Sequence, residues 1–310
     1  MRESDFLRHV AQTATGDPRV LIPPGDDLAA LTTPCGPLLT GVDQLIDGRH
    51  VDLDRVSAAA AGRKAVRRCI SDLAAMAARP WATLAAVVLP SDFGSSRTIE
   101  LFDAVRVDCE RLSCPLVGGD IAIHAADRPG PLVLSISVIG HADGIAPVRR
   151  TGARPGDRLV VTGRLGATLA PDGTGHHLEF EPRVEAAREL ASTLGAELHA
   201  MIDLSDGLGR DGAAVARASG VDLNIQASLL PRRGSATWRE AMSDGEDYEL
   251  FAAVGPDVAI PSAVDRIPLT VIGTVEAVAD GQAGPRVRVT ADGESHDLTD
   301  AGWDHVGDES

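Results

Sequence analysis

The chain has 310 residues, 44% of them hydrophobic and 24% charged, which is room for two domains with separate cores and an ordinary soluble composition. Its formal charge of -16 argues against non-specific binding to nucleic acid or anionic lipid, and no apolar run is long enough to span a membrane. One lysine, Lys64, stands against 28 arginines, with no Gly-x-x-x-x-Gly-Lys-Ser/Thr loop and no protein-kinase motif set, so a bound nucleotide's phosphates would need metal and arginine to neutralise them.

The segment Met1 to Asp5 lacks the basic and apolar layout of a signal peptide. Cys35, Cys69, Cys109 and Cys114 suit neither a disulfide framework nor a paired Cys-x-x-Cys metal site. Both features predict a cytoplasmic protein with reduced thiols. A first helix is predicted from Asp5 to Ala14. The rigid turn Pro23-Pro24-Gly25-Asp26-Asp27 follows, then a strand at Leu28 to Leu31. Pro37 to Val42 reads as a strand ending in Asp43, with Asp47-Gly48-Arg49-His50 after it.

Val56 to Ala78 is an alanine-rich helix on which Lys64, Arg68 and Asp72 share one side at i, i+4 and i+8. A solvated salt-bridge stripe is the plain explanation. The apolar run directly after Asp72 argues that this acid faces something specific. Thr83 to Leu89 is a strand, Ser95 to Leu112 a helix, and Pro115 to Asp120 a buried strand ending in Gly118-Gly119-Asp120. Those glycines either let a ligand approach the backbone or form a hairpin turn. Pro131 to His141 closes a first domain, and the Pro/Gly/Arg stretch Pro147 to Asp157 is a linker.

In the second half, Arg158 to Thr162 is a strand leading into Gly163-Arg164-Leu165-Gly166, a weak phosphate-loop candidate without a dinucleotide fingerprint. A helix is predicted from Pro182 to Leu194, and strands at His199 to Ile202, Val221 to Ile225, Leu269 to Val275 and Arg286 to Val289. Between the His199 to Ile202 strand and a helix carrying Leu208, Ala213 and Val215 lies Asp203-Leu204-Ser205-Asp206-Gly207-Leu208. Asp206 can be a helix N-cap, but Asp203 is surplus to that task, and two like charges this close favour a bound cation. Asp244, Glu246, Asp247 and Glu249 form an acidic run interrupted by Tyr248, and Leu298 and Trp303 predict a docked tail. Asp27, Asp43, Asp72, Asp120, Asp203 and Asp206 thus recur at the ends of core elements, as oxygen ligands for several Mg2+ ions would.

These motifs, in this order and over nearly the whole chain, resemble thiamine-monophosphate kinase, in the wider group that includes aminoimidazole-ribonucleotide synthetase. The pieces are Pro24-Gly25-Asp26-Asp27, Asp43 with His50, Lys64-Ala65 through Ser71-Asp72 to Met76, Gly118-Gly119-Asp120, Arg150 to Asp157, Ile202 to Leu208, Gly245 to Leu250, and Trp303-Asp304-His305. The resemblance implies an α+β amino-terminal domain (1–146) that binds ATP and Mg2+ and pairs its sheet across a homodimer. It further implies an α/β carboxy-terminal domain (147–310) that completes the ATP and substrate site. By the same resemblance the six aspartates bind Mg2+, Gly118, Gly119, Arg150 and Ser205 contact ATP, and His50, Glu246 and Trp303 touch thiamine monophosphate. The implied reaction is ATP-dependent phosphorylation of that acceptor, with no acid–base residue.

Three departures stand out. Gly41-Val42 replaces the hydroxyl residues usual before Asp43, Ile121-Ala122 replaces threonines after Asp120, and Asp244 stands where glycine is usual. The alternatives are a related ATP-using enzyme with another acceptor, a silent nucleotide-binding homologue, and a structural protein with acidic turns.

Overall fold

A computed structural model describes residues 3–24 and 27–304, so Gly25 and Asp26 of the first acidic turn, and His305 of the tail motif, lie outside it. The chain divides into two compact units. The first takes residues 1–73, 78–144 and 171–174, and the second takes 74–77, 145–170 and 175–310.

The first unit begins with α1 (Glu3–Gln12), then the short strands β1 (Val20–Ile22) and β2 (Ala30–Leu31), which pair antiparallel. Its main elements are β3 (Leu38–Ile46), α2 (Ala58–Ala75), β4 (Arg79–Leu89), α3 (Ser95–Arg111), β5 (Leu116–Ile123) and β6 (Val133–His141). The sheet order is β3-β6-β4-β5, antiparallel except for the parallel pair β4–β5. Helix α2 starts where the Ser57 hydroxyl accepts the Ala60 N–H at 3.1 Å, an N-cap arrangement. Its glycine is required by packing: a Cβ on Gly62 would stand 2.9 Å from the Leu101 carbonyl of α3.

Burial alternates along β6, as a strand covered on one face demands. Leu134, Ile136 and Val138 are buried, while Val133, Ser135, Ser137 and Ile139 are half-buried on the other face. In register with the latter are exposed Thr40, Val42 and Leu84, so this unit carries an apolar sheet face open to solvent.

The structure corrects two readings in this sheet. Asp43 does not end a strand; it lies within β3 opposite Ile136. Gly118-Gly119-Asp120 is neither a strand end nor a hairpin turn but the middle of β5, with Gly119 opposite Ala85 and Asp120 opposite Ala86. A Cβ on Gly119 would fall 1.9 Å from the Ala85 carbonyl oxygen, so close approach of β4 already demands that glycine.

The second unit comprises β7 (Arg158–Thr162), α4 (His176–Glu179), α5 (Val184–Leu194), β8 (Leu198–Asp203), α6 (Leu208–Ser219), β9 (Val221–Gln226), α7 (Trp238–Ser243), β10 (Leu250–Val254), β11 (Ala263–Val264), β12 (Ile267–Ala277), β13 (Val287–Ala291) and β14 (Glu294–Asp297). Its sheet runs β14-β13-β9-β12-β7-β10-β8, with β11 beside β12 and only β13–β9 parallel. Leu159, Val161, Ile202, Leu208, Leu223 and Phe251 are among the residues of one buried core under α6. With helices packed on mixed and antiparallel sheets in both units, the fold is the two-domain α+β and α/β class expected from the sequence. Elements β1, α4, α7, β11 and β14, all short, were not anticipated.

Candidate functional site

In the first unit, Asp27, Gly118, Gly119 and Asp120 line one cavity of about 580 Å³. Its walls are largely apolar, including Phe102 and Val105 of α3 and Val10 of α1. Arg106 also lines it and has a buried Nε that finds no hydrogen-bond partner among the described residues. Asp120 is exposed at this cavity, and among the described residues its carboxylate makes no hydrogen bond or ion pair. The apolar wall was missed in sequence because its residues read only as helix core.

Asp43 and Asp72 form a second group in that unit. Burial, and then the charges of Asp72 and Asp43, push the Cys69 thiol up. Of the predicted stripe, Lys64 and Arg68 are turned onto β3 and the turn after it, while Asp72 at its end is exposed beside β3. Lys64 is fully buried and its Nζ donates to the His50 carbonyl at 2.6 Å. Arg68 donates to the Gln44 carbonyl at 3.0 Å and stands 3.3 Å from the Asp43 carboxylate. Asp72 lies against Gly41, 3.8 Å from where a Cβ would be. The i, i+4, i+8 spacing therefore runs along β3 and the turn that follows it. A Cβ at 41 would make only ordinary van der Waals contact with Asp72, so the space there does not itself demand a glycine.

The second unit gathers Asp203, Ser205, Asp206, Glu246 and Trp303 around the β8–α6 turn. Asp203 ends β8, opposite Leu250. Glu246 donates its N–H to the Ser205 carbonyl at 2.7 Å, and Trp303 donates its N–H to the Asp206 carbonyl at 2.8 Å. Trp303 remains exposed, while the tail docks through Leu298, packed against the core, and through Asp304, paired with Arg210 at 2.7 Å. Arg150 is exposed, and no hydrogen bond to this turn is seen among the described residues.

The N-cap reading of Asp206 is corrected. The capping position of α6 is Gly207, at φ 114°, and no side chain caps it. The N–H groups of Asp206 and Gly207 instead donate to Asp211, one turn inside the helix, at 2.9 and 3.0 Å. Burial, and then the charges of Asp203 and Asp206, raise the Asp211 carboxyl well above the usual range. Asp211 is thus a third acid at this turn, findable in sequence from its one-turn spacing from Gly207.

The acidic run Asp244 to Glu249 divides by partner. Glu249 is buried and receives two bonds from Arg183, at 2.8 and 2.6 Å, and one from Thr162 at 2.7 Å. Buried Asp247 receives Arg233 and the Gly166 N–H, yet burial pushes its carboxyl to about 7. Asp244 accepts the Ala167 N–H at 2.7 Å. Glu246 lies 3.3 Å from buried His177. Gly245, Glu246 and Tyr248 all have positive φ, a conformation non-glycine residues adopt at a cost, and Tyr248 stacks on Phe180 at 3.8 Å.

That arrangement overturns the phosphate-loop candidate at Gly163 to Gly166. The N–H groups of Gly163 and Leu165 go to the Pro268 and Pro231 carbonyls, and those of Gly166 and Ala167 go to the two carboxylates above. An acid-bound loop repels phosphate.

Among the described residues, no three His, Cys, Asp or Glu side chains are close enough to hold a metal ion by themselves. Mg2+ commonly takes one or two carboxylates and fills its octahedron with phosphate oxygens and water. The donor chemistry of Asp43 with Asp72, and of Asp203 with Asp206, fits that habit.

Residues 25–142 match the family described as AIR synthase related protein, N-terminal domain. The thiamine-monophosphate kinase of Rhodopirellula baltica is 33% identical over 293 residues, covering 88% of this chain and 89% of that protein. The chain belongs to the thiamine-monophosphate kinase family. That membership makes it a phosphotransferase of the thiamine-phosphate kinase kind. Among solved structures, AaThiL complexed with AMPPCP and TMP is 26% identical with a TM-score of 0.72, over 99% of each chain. The hydrogenase maturation protein HypE in complex with ATP reaches a TM-score of 0.75 at 18% identity, over 98% of this chain and 96% of that one, which shows the fold alone. Among the described residues no helix is long and apolar enough to cross a membrane.

Proposed function

We propose that this chain transfers the γ-phosphoryl group of ATP to thiamine monophosphate, giving thiamine diphosphate and ADP with the help of Mg2+. The observation that carries the reading is the family relative that holds AMPPCP and TMP together, similar to this chain over the full length of both. The cavity bordered by Gly118, Gly119, Asp27 and Asp120 has the apolar wall and acidic rim that suit a nucleotide's base and metal-bound phosphates. Ser205 and Arg150 in the second unit are the further ATP contacts, and His50, Glu246 and Trp303 the acceptor contacts.

The acceptor phosphate is already ionised at neutral pH, so no general base is needed and catalysis is positioning plus charge neutralisation. Asp27, Asp43, Asp72 and Asp120 in the first unit, with Asp203 and Asp206 in the second, would hold Mg2+, which when bound screens the phosphates and stabilises charge on the transferring group. Arg68 keeps Asp43 aimed, and Asp211 holds the Asp206–Gly207 backbone in the turn that presents Asp203 and Asp206. The open sheet face with Val42, Leu84 and Ile139 supports pairing with a second copy of the chain, and the protein would work as a cytoplasmic homodimer.

Full-length protein given ATP, Mg2+ and a panel of phosphorylated acceptors decides the matter. ADP release and a mass increase of one phosphoryl group are expected with thiamine monophosphate and are lost when Mg2+ is chelated. Turnover with aminoimidazole-ribonucleotide or another acceptor instead would overturn the assignment.

A further inference from the structure

Lys64 is the chain's one lysine and is completely buried on α2, where Ala65, Val66 and Cys69 are also buried and the neighbouring Arg67 is paired with Asp108. A buried ammonium is costly unless it is hydrogen-bonded. Its Nζ donates to the His50 carbonyl at 2.6 Å, the short distance of a charge-assisted bond. That carbonyl belongs to a tight turn: the Gly48 N–H donates to Val51, the His50 N–H donates to Ile46, and the Asp47 carboxylate accepts the Leu53 N–H.

The His50 ring folds back on the same turn, and its Nδ1 lies 3.0 Å from the Ile46 backbone nitrogen. A backbone N–H can only donate. Nδ1 must therefore accept, which it does only when it carries no proton. The ring proton is then on Nε2, and the ring is neutral while this bond stands. Both the carbonyl and the ring of His50 are thus tied down, one by Lys64 and one by the strand it follows.

We propose that Lys64 is a positioning residue for the acceptor site, holding the turn so that His50 meets the substrate as a neutral Nε2–H hydrogen-bond donor. This rests on the reading of His50 as an acceptor contact. In this role His50 supplies neither a positive charge nor a proton-transfer base; it recognises an acceptor atom on the substrate by direction.

The test combines nitrogen NMR of the histidine rings in the full-length protein with steady-state kinetics. Wild-type protein at neutral pH should show His50 with Nδ1 unprotonated and Nε2 protonated. Lys64→Met should blur that single tautomer and raise KM for thiamine monophosphate roughly tenfold, the worth of one well-placed hydrogen bond, with a smaller change in kcat. His50→Gln, whose terminal amide reaches the position of Nε2, should retain more affinity than His50→Asn, which cannot reach it. A protonated Nδ1 or an imidazolium in the wild type overturns the donor assignment. An unchanged His50 spectrum and KM in Lys64→Met overturn the positioning role. If Lys64→Met does not fold, the wild-type spectrum and the Gln/Asn pair still decide. Should both His50 variants keep the wild-type KM while the spectrum is as expected, the acceptor-contact reading fails and the tautomer stands.

Discussion

Two acid-bearing regions look alike in sequence and differ in what their carboxylates meet. In the run Asp244 to Glu249 the buried acids are held by protein: Glu249 by Arg183 and Thr162, Asp247 by Arg233 and a backbone N–H. At β5 in the first unit, Asp120 is exposed on a cavity, and among the described residues no protein group pairs with it. Density of charge therefore says little about its use. An acid whose partners are guanidinium and amide groups is holding the fold together, whereas one left facing a cavity is suited to a ligand that brings its own cation.

The contrast breaks or sharpens under substitution. Arg183→Leu leaves Glu249 buried without its two guanidinium bonds, and thermal or denaturant unfolding should show a loss of about 3–5 kcal/mol. Asp120→Asn should do the reverse. Turnover falls by about 100–1000-fold, equivalent to roughly 2.7–4 kcal/mol of barrier, while the melting temperature stays put. If Asp120→Asn lowered stability and spared the rate, the distinction between the regions would be wrong.

Gly119→Ala pushes a methyl group onto the Ala85 carbonyl and should destabilise by about 1–3 kcal/mol, whereas Gly284→Ala, with open space around it, should fall within about 0.5 kcal/mol of wild type. Equal melting temperatures for the two variants would show that β4 and β5 tolerate separation.

The smallest effect is one of pH. Burial raises the Asp247 carboxyl from an unfolded value of 3.8 to about 7 in the folded chain. Between these values the native state keeps a proton that the unfolded state has released. This group's contribution to stability is therefore present at low pH and lost as pH rises towards 7. Asp247→Asn cannot titrate, so its melting temperature should fall less than that of wild type between pH 5 and pH 8. Parallel curves would remove Asp247 from the account.

Most long elements were legible from periodicity, because α2, α3 and α5 carry regular apolar faces and β4, β6 and β7 carry runs that only a sheet would bury. Local errors came where a residue's role is set by a neighbour far along the chain. Asp43 and Asp120 read as strand ends because an acid and a glycine pair look like punctuation, yet the ladders with β6 and β4 carry through them. The glycine loop after β7 read as a weak phosphate cradle because its competitors, Asp244 and Asp247, arrive from some eighty residues away.

Sequence alone determined the family resemblance, the two-part division expected of the chain, and the identities of the acids, since motif order and hydrophobic period are properties of the linear chain. Tertiary structure decided the environment of each charge. Lys64, Arg68 and Asp72 share a side of α2 by helical geometry, but only the packing of that side against β3 and its following turn makes one a buried clamp and another a strut for Asp43. A side chain's solvation and partners are set by whichever segments fold against it, and helical or strand spacing carries no record of those.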